Sequence, residues 1–370
     1  MGLFKDLHSL VEGGNISIDG DIDAEKINLN KIDRSKIVNM IKDGLINLNN
    51  QFKKKYKVPL WLDTRGIDTG TLFGGSSEHF MNQKISDKEF KSLKPKVGDI
   101  DVQVDKKLED ELKEFLKVGK SFKGIKYLGR GKVESFDEIN TVFKTTVDKQ
   151  DINFQIDFEF VEFAGDNQTD FSRFARSSAW ADIKKGIKGA FHKFLLGSID
   201  SAVTVDIPVV SRKTLKAKNV KAHAYAFSHI KGMRAKYEPA TDKQGMPVII
   251  NGKKAYFELK ASQTPSIKNL TTIYQILFGG NPNKSDIEKM KSFVGLTELI
   301  NKHFTKPQKE QILNNYLEKN FGRGGKRMEK FDEDDYSLKM AGINQIFKAI
   351  PILKSKQKEI DKMINIYYKM

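Results

Sequence analysis

Residues 98–105, with the sequence GDIDVQVD, alternate acidic and aliphatic side chains and decide how the first part of the chain folds. Successive side chains of a β-strand point to opposite faces, so the pattern predicts a strand with its aliphatic residues buried and its aspartates on the other face. Carboxylates that share a face repel one another and favour a bound cation, which makes Asp99 and Asp101 candidate ligands of a divalent metal. A solvated acidic strand face explains the same alternation, so the interpretation depends on the surrounding sequence.

The composition is that of a globular protein without disulfides. The chain has 370 residues, of which 39% are hydrophobic and 30% are charged, and this length predicts two or three domains. It contains no cysteine, which excludes disulfides and thiolate zinc sites. Since we find neither an apolar run of about 18 residues nor a signal-peptide pattern, we expect a cytoplasmic protein with no membrane partner.

The positive charge is concentrated in the second half of the chain. Residues 1–170 contain 27 Lys and Arg against 30 Asp and Glu, a net charge of −3, whereas residues 171–370 contain 37 against 18, a net charge of +19. A general enrichment in lysine would raise both halves alike. The asymmetry therefore favours a polyanionic partner, and we expect nucleic acid, with RNA preferred, to bind the basic C-terminal half.

The periodicity of the first 165 residues indicates a mixed α+β domain. Apolar residues between 37 and 52 keep helical spacing, and a second helix is expected around residues 108–116. Strands are expected at PLWLD, residues 59–63, at the GDIDVQVD segment and through residues 124–163.

The remaining sequence predicts a helix, a β-hairpin region and a helical end. Residues 171–197 have a helical pattern, and Asn251-Gly252 is a strong signal for a type I′ hairpin turn. Helical spacing continues from about residue 266, with a break near Pro351. We therefore predict an α+β domain at residues 1–200, a basic β-rich segment at 201–265 and a helical domain at 266–370.

Two further segments complete a pattern around the acidic strand. LFGGSS, residues 72–77, follows an apolar stretch and is a turn that can present N–H groups and hydroxyls to a phosphate. QIDFEF, residues 155–160, places Asp157 in the middle of a predicted strand. The combination resembles the polymerase-β-like nucleotidyltransferase superfamily, whose signature is a Gly-Ser turn, an acid-x-acid strand and a third acid on a neighbouring strand. The resemblance covers residues 35–165.

The resemblance implies a catalytic domain with a palm-like mixed sheet and a metal-dependent reaction with an NTP. It implies that two Mg²⁺ or Mn²⁺ ions are held by Asp99, Asp101 and Asp157. It also implies that the β- and γ-phosphates are held by the glycine-serine turn, namely by Gly74, Gly75, Ser76 and Ser77. The 22 residues between Ser76 and Asp99 are more than many members have, so residues 79–96 are expected to be an insertion or a longer helix and loop.

Beyond the third acid, three residues with nitrogen-bearing side chains are spaced four positions apart. Lys184, Lys188 and His192 would lie on one face of a helix, which could hold the triphosphate or the acceptor backbone or could simply be solvated. We assign Lys184 and Lys188 to nucleotide binding as a prediction.

Two alternatives come from other functional classes. Glu258-x-Lys260, with Asp242 upstream, matches the second half of a PD-(D/E)xK nuclease site, in which two carboxylates bind a metal. A non-enzymatic basic protein that binds nucleic acid would retain the acids without using them. The preferred function is transfer of a nucleoside monophosphate from an NTP to an acceptor hydroxyl, with an RNA or DNA 3′ end as the favoured acceptor. Protein hydroxyls, small molecules and a second nucleotide stay open as acceptors, and the sequence does not identify the base of the NTP.

Overall fold

The chain divides into two compact units, Met1–Lys184 and Lys185–Met370. The fold is mixed α+β, as the sequence predicts. Among the described helices, none is long and apolar enough to cross a membrane. The computed structural model describes residues 16–18, 22–82, 84–131, 138–161, 171, 174–175, 178–202, 204–212, 216–223, 225–228, 232–242, 244–260, 266–321 and 333–368.

The described strands of the first unit form one main sheet and two small pairs. The main sheet has the order β5-β9-β8-β7-β6, in which β5 is parallel to β9 and all other neighbours are antiparallel. The small pairs are β1 with β2 and β3 with β4. The strands are β1 Ser17–Ile18, β2 Ile22–Asp23, β3 Ile27–Asn28, β4 Lys96–Val97, β5 Asp99–Asp105, β6 Ser121–Phe122, β7 Ile125–Arg130, β8 Glu138–Val147 and β9 Gln150–Val161.

A long helix packs in the same core as the apolar side of this sheet. Helix α1 begins after Asp33, whose carboxylate accepts the N–H of Lys36, and it ends before Lys57, which has a left-handed φ of 66°. Its apolar residues and those of β5 and β9 belong to one buried cluster. The aspartates of β5 therefore face away from this core. The described helices of this unit are α1 Arg34–Tyr56, α2 Arg65–Asp68, α3 Ser77–Asn82, α4 Asp87–Leu93, α5 Glu109–Phe115 and α6 Trp180–Ile183, with a 3₁₀ turn at Lys106–Leu108.

The strand predicted at PLWLD is wrong. Residues 59–63, all of which are described, form no strand. The N–H of Trp61 instead donates to the side chain of Asn49 at 3.1 Å, and the indole Nε1 donates to the carbonyl of Gln103 at 2.7 Å. The segment thus makes isolated hydrogen bonds to a side chain and to one backbone carbonyl in place of the regular backbone hydrogen bonds of a strand. Its apolar character reflects burial of Leu60 and Trp61.

The second unit begins with a helix, continues with sheets and ends with further helices. One described sheet has the order β11-β10-β17-β14 and another the order β12-β13-β18. The hairpin β15–β16 turns at Asn251 and Gly252, with φ of 49° and 74°, which confirms the predicted type I′ turn. The strands are β10 Thr204–Val210, β11 Ala217–His223, β12 Tyr225–Ser228, β13 Gly232–Ala235, β14 Tyr237–Pro239, β15 Ile249–Ile250, β16 Lys253–Lys254, β17 Tyr256–Glu258 and β18 Ser266–Ile267.

The helical end of the second unit is also confirmed. A 3₁₀ segment, Pro351–Lys356, interrupts the helices where the proline predicts a break. The described helices are α7 Gly189–Ala202, α8 Leu270–Phe278, α9 Lys284–Met290, α10 Phe293–His303, α11 Lys306–Phe321, α12 Glu333–Ala349 and α13 Gln357–Tyr368.

Candidate metal centre

Parallel pairing of β5 with β9 brings the three predicted acids together. Asp101 lies directly opposite Asp157 in the register, and Asp99 lies opposite Gln155. Directly paired residues point to the same face of a sheet, so all three carboxylates project from one side. One carboxylate oxygen from each of Asp99, Asp101 and Asp157 lies within 4.8 Å of the others. This spacing is that of a group of ligands around a cation.

The electrostatics of the cluster disfavour three negative charges. Burial raises the pKa of Asp101 well above its usual range, and repulsion from Asp99 and Glu159 raises it further. Burial also raises the pKa of Asp157 well above its usual range, again with repulsion from Asp99. Burial raises the pKa of Asp99 as well, although the ammonium of Lys94 acts in the opposite direction. A divalent cation between the carboxylates would remove this repulsion, so the donor set fits a metal.

Amide groups fix the carboxylate of Asp157. The Nε2 of Gln155 donates to both oxygens of Asp157, at 2.9 and 2.8 Å, and Asn140 on the neighbouring strand β8 also hydrogen-bonds to it. Asp157 itself is only 5% exposed. Its carboxylate is therefore held in a defined orientation, as second-sphere hydrogen bonds hold many metal ligands.

The glycine-serine turn lies directly against the carboxylates. The N–H of Gly74 donates to the carbonyl of Asp101 at 3.1 Å, and Phe73 forms a bridge with Val102. Gly75 has a φ of +52°, and a Cβ atom at Gly75 would lie 2.6 Å from Oδ2 of Asp101. Only glycine allows both this backbone conformation and this close approach.

The two serines of the turn have different partners. The Oγ of Ser77 accepts the N–H of Asp101 at 3.1 Å and donates to the carbonyl of Asp99 at 3.3 Å, and Ser77 is 1% exposed. Its hydroxyl thus positions the acidic strand, which corrects the expectation that Ser77 holds a phosphate. The Oγ of Ser76 accepts a hydrogen bond from the Nζ of Lys94, so Ser76 shares its surroundings with a cation.

Lys94 is a site residue that the sequence did not single out. It caps the C-terminal end of α4, within the segment of residues 79–96 that separates the turn from the acidic strand. Its ammonium contacts Ser76 and acts on Asp99. The available signal was weak: basic residues at positions 94 and 96 come directly before the acids in a lysine-rich chain.

The segment that carries Lys94 is anchored by a buried arginine. The guanidinium of Arg34, 3% exposed, donates to the carbonyls of His79, Phe80 and Ile85 at 2.7–3.2 Å. It also pairs with Asp87 at 2.9 Å, at the start of α4. The expected insertion is therefore a pair of short helices, α3 and α4, tied to the first turn of α1.

The predicted helix face with Lys184, Lys188 and His192 is wrong. Lys184 follows α6 and pairs with Glu89 at 2.8 Å, and Gly186, with a φ of +67°, interrupts the helical conformation before α7 begins. Lys188 precedes α7 and belongs to the second unit. On α7, Nε2 of the buried His192 donates to the carbonyl of Met290 at 2.9 Å, and burial lowers the pKa of His192 to about 4.

The residues of the alternative nuclease site are separated along their hairpin. The antiparallel register places Glu258 opposite Tyr237, five residues before Asp242. The carboxylate of Asp242 accepts the N–H groups of Gln244 and Met246, each at 2.9 Å, and closes a turn. Asp242 therefore has a local structural role, and the strand register does not place it beside Glu258.

The first unit thus combines a carboxylate cluster with a glycine turn, a serine hydroxyl and a lysine ammonium. Carboxylate oxygens are the preferred ligands of Mg²⁺ and Mn²⁺, and N–H groups, hydroxyls and ammonium groups bind phosphate. Such an arrangement can bind a divalent cation and a phosphate next to each other. Comparisons of the chain with protein-family models, with curated proteins and with solved structures found no match.

Proposed function

We propose that the protein is a metal-dependent nucleotidyltransferase that moves a nucleoside monophosphate from an NTP to an acceptor hydroxyl and releases pyrophosphate. The observation that supports this most directly is the convergence of Asp99, Asp101 and Asp157, with carboxylate oxygens within 4.8 Å of one another. The glycine-serine turn beside them adds hydrogen-bond donors that suit a phosphate. On this proposal the first unit is a palm-like catalytic domain of the polymerase-β-like kind.

The three aspartates would hold two Mg²⁺ or Mn²⁺ ions. Their raised pKa values and mutual repulsion are the features that a divalent charge would offset. When bound, these ions neutralise charge on the α-phosphate and on the leaving pyrophosphate and lower the pKa of the acceptor hydroxyl. The amide of Gln155 and the hydroxyl of Ser77 keep the carboxylates in place.

The turn and its neighbours would orient the triphosphate. The N–H of Gly74 is bonded to the carbonyl of Asp101, so the phosphates would be held by the N–H of Gly75, the hydroxyl of Ser76 and the ammonium of Lys94, which lie beside the acids. Positioning of the β- and γ-phosphates places the α-phosphorus for attack by the acceptor oxygen. The bond to pyrophosphate breaks as the new bond to the acceptor forms.

The favoured acceptor is the 3′ hydroxyl of an RNA, and a DNA 3′ end is the next choice. The support is the net charge of +19 on residues 171–370, which suits a polyanion. A protein hydroxyl, a small molecule or a second nucleotide would appear in the same assay as label transfer that does not depend on added RNA.

The test is transfer of label from each of the four α-labelled NTPs, with Mg²⁺ or Mn²⁺ and with or without bulk RNA. We expect transfer with at least one NTP and its loss in Asp101→Asn. Asp105→Asn is the matched control, because Asp105 lies on the same face of the same strand but caps the N–H of Lys107 at 3.1 Å. Equal transfer by Asp101→Asn and the wild-type protein would refute the assignment. RNA binding without transfer from any NTP would favour the non-enzymatic alternative.

A further inference from the structure

The excess positive charge belongs to the second compact unit. Residues 185–370 contain 34 Lys and Arg against 17 Asp and Glu, a net charge of +17, whereas residues 1–184 contain 30 against 31, a net charge of −1. Within the second unit, residues 207–237 contain eight Lys and Arg and no Asp or Glu. A segment of this length with the average composition of the chain would contain four acids, so the sign of the charge is strongly biased here.

This acid-free segment includes the outer strand of a sheet. Strands β10 and β11 form an antiparallel hairpin in which Val210 pairs with Ala217, and β11 is the outermost strand in the order β11-β10-β17-β14. Residues 216–219 are all exposed. Lys216 and Lys218 are two residues apart and therefore lie on the same face of the chain at this edge.

A second hairpin, β15–β16, forms a separate two-stranded sheet and adds two more exposed lysines close to β10. Strand β16 packs beside β10 and consists of Lys253 and Lys254, both of which are exposed. We call the four side chains of Lys216, Lys218, Lys253 and Lys254 the basic sheet edge.

Protection of an edge strand against aggregation explains these lysines only in part. Charged side chains on an exposed edge, lysine above all, prevent pairing with other chains. The absence of any acid over residues 207–237 is not required for it. A partner with repeated negative charges accounts for this bias.

We propose that the basic sheet edge binds the phosphate backbone of a nucleic-acid strand. An extended strand that presents only cations suits a linear polyanion, whereas attachment to an anionic membrane surface typically uses an amphipathic helix with a large apolar face. The contacts are to phosphates, so binding is independent of base sequence and weakens with salt. This interaction needs neither an NTP nor a metal, and its test is therefore separate from that of the proposed activity.

The test is binding of the full-length protein to a fluorescent single-stranded RNA of about 16 nucleotides, in EDTA and without NTP. Fluorescence anisotropy is measured from about 50 to about 200 mM KCl for the wild type and for a quadruple variant, K216Q/K218Q/K253Q/K254Q. The matched control, K53Q/K54Q/K107Q/K117Q, removes four exposed lysines from the first unit. Thermal melting of each variant checks that the fold is retained.

We expect the wild type to bind RNA with a steep salt dependence. Removal of four phosphate contacts reduces the slope of log K against log[salt] by about 3, since each contact to a single strand contributes about 0.7. The control keeps the slope of the wild type. The proposal is overturned if the wild type does not bind at the lowest salt, if the quadruple variant binds as the wild type does, or if the control loses as much.

Two further arms define the partner. A duplex DNA of the same length tests whether DNA binds as well as RNA does. Tighter binding of the RNA or of the DNA shows which nucleic acid is preferred. Vesicles that contain anionic lipid test the membrane alternative, and binding to vesicles with no binding to nucleic acid would overturn the proposal. If RNA binding is lost in the quadruple variant while no NTP supports transfer, this proposal stands and the proposed activity fails.

Discussion

Gly75 is the residue at which the turn comes closest to the carboxylates. The sequence GGSS indicates a turn, and the superfamily resemblance indicates its purpose, but neither identifies which glycine needs its lack of a side chain. The structure does so by a positive φ and by a distance of 2.6 Å from a Cβ atom at this position to Oδ2 of Asp101. Such a contact depends on the fold of a strand that begins 24 residues later, so local sequence patterns do not contain it.

Gly75→Ala is expected to displace the carboxylate of Asp101 and to abolish nucleotidyl transfer and metal binding. The left-handed conformation alone costs about 1–2 kcal/mol for a residue with a Cβ atom. Gly119→Ala controls for that cost, because Gly119 has a φ of +82° and no atom within 4 Å of its Cβ position. Chemical unfolding and metal titration of both variants separate strain from displacement. Equal effects of the two substitutions on metal binding would contradict this prediction.

Lys94 is expected to contribute to NTP affinity. Hydrogen bonds to charged groups contribute about 1.5–3 kcal/mol, so loss of one ammonium–phosphate contact in Lys94→Met should raise KM for the NTP about 10- to 100-fold. Lys91→Met, at an exposed position on α4, is the control and should leave KM unchanged. Steady-state kinetics with the NTP that supports transfer provide the measurement. A loss confined to kcat would mean that Lys94 acts on the acids instead.

At the scale of elements, helix α1 could be predicted but its most important polar residue could not. The spacing of its apolar residues gives the helix and its buried face directly. Arg34 lies at the first position of the helix, and its carbonyl partners are 45–51 residues away in the chain. An arginine at a helix start is usually solvated, so only the folded structure identifies it as the anchor of the α3–α4 segment.

Arg34→Met should destabilise the first unit by about 2–4 kcal/mol, because it leaves the carbonyls of His79, Phe80 and Ile85 without their donor, whereas the half-exposed Asp87 loses only a weak ion pair. Arg65→Met is the control. The side chain of Arg65 is 86% exposed and pairs with Asp63 at the surface, so its loss should cost about 0.5 kcal/mol or less. Urea unfolding of both variants checks the difference. Similar midpoints for the two variants would show that Arg34 does not anchor the segment.

The predictions that failed at this scale share one physical cause. A spacing of four residues is the same whether Lys184, Lys188 and His192 lie on one helix or on two segments separated by Gly186. The positive φ of Gly186 breaks the helix between these residues. A glycine within a helical pattern is itself a signal of such a break, and here it outweighs the spacing. Short apolar runs such as PLWLD are ambiguous for a similar reason, since burial alone does not require a strand.

At the scale of the whole molecule, the sequence predicts the parts of the site but not their assembly. Alternation within GDIDVQVD and QIDFEF places the acids on one face of each strand. It does not specify that strands more than 40 residues apart pair in parallel, or that the register sets Asp101 opposite Asp157. Only the superfamily resemblance indicated that the acids of the two strands lie together. The charge division between the two units, by contrast, can be counted from the sequence once the boundary is known.

The dependence of stability on pH offers a prediction for the second unit. Asp200 on α7 accepts the N–H of Phe227 at 3.3 Å, and burial raises the pKa of Asp200 to about 6, although Lys236 and Lys319 act in the opposite direction. The folded state then holds a proton on Asp200 that the unfolded state releases at lower pH. The contribution of Asp200 to the free energy of unfolding therefore falls as the pH rises from about 4 to about 6 and is constant above.

Asp200→Asn should remove this pH-dependent loss of stability, because the amide oxygen still accepts the N–H of Phe227 without carrying a charge. The variant is expected to become more stable than the wild type by up to about 3 kcal/mol as the pH rises from about 4 to about 6. The neutral, buried His192 contributes the opposite dependence, but it is present in both proteins and cancels in the difference. Urea unfolding at each pH, with Asp361→Asn at an exposed position as the control, gives the measurement. A difference between Asp200→Asn and the wild type that does not change over this range would show that Asp200 is solvated in the folded protein.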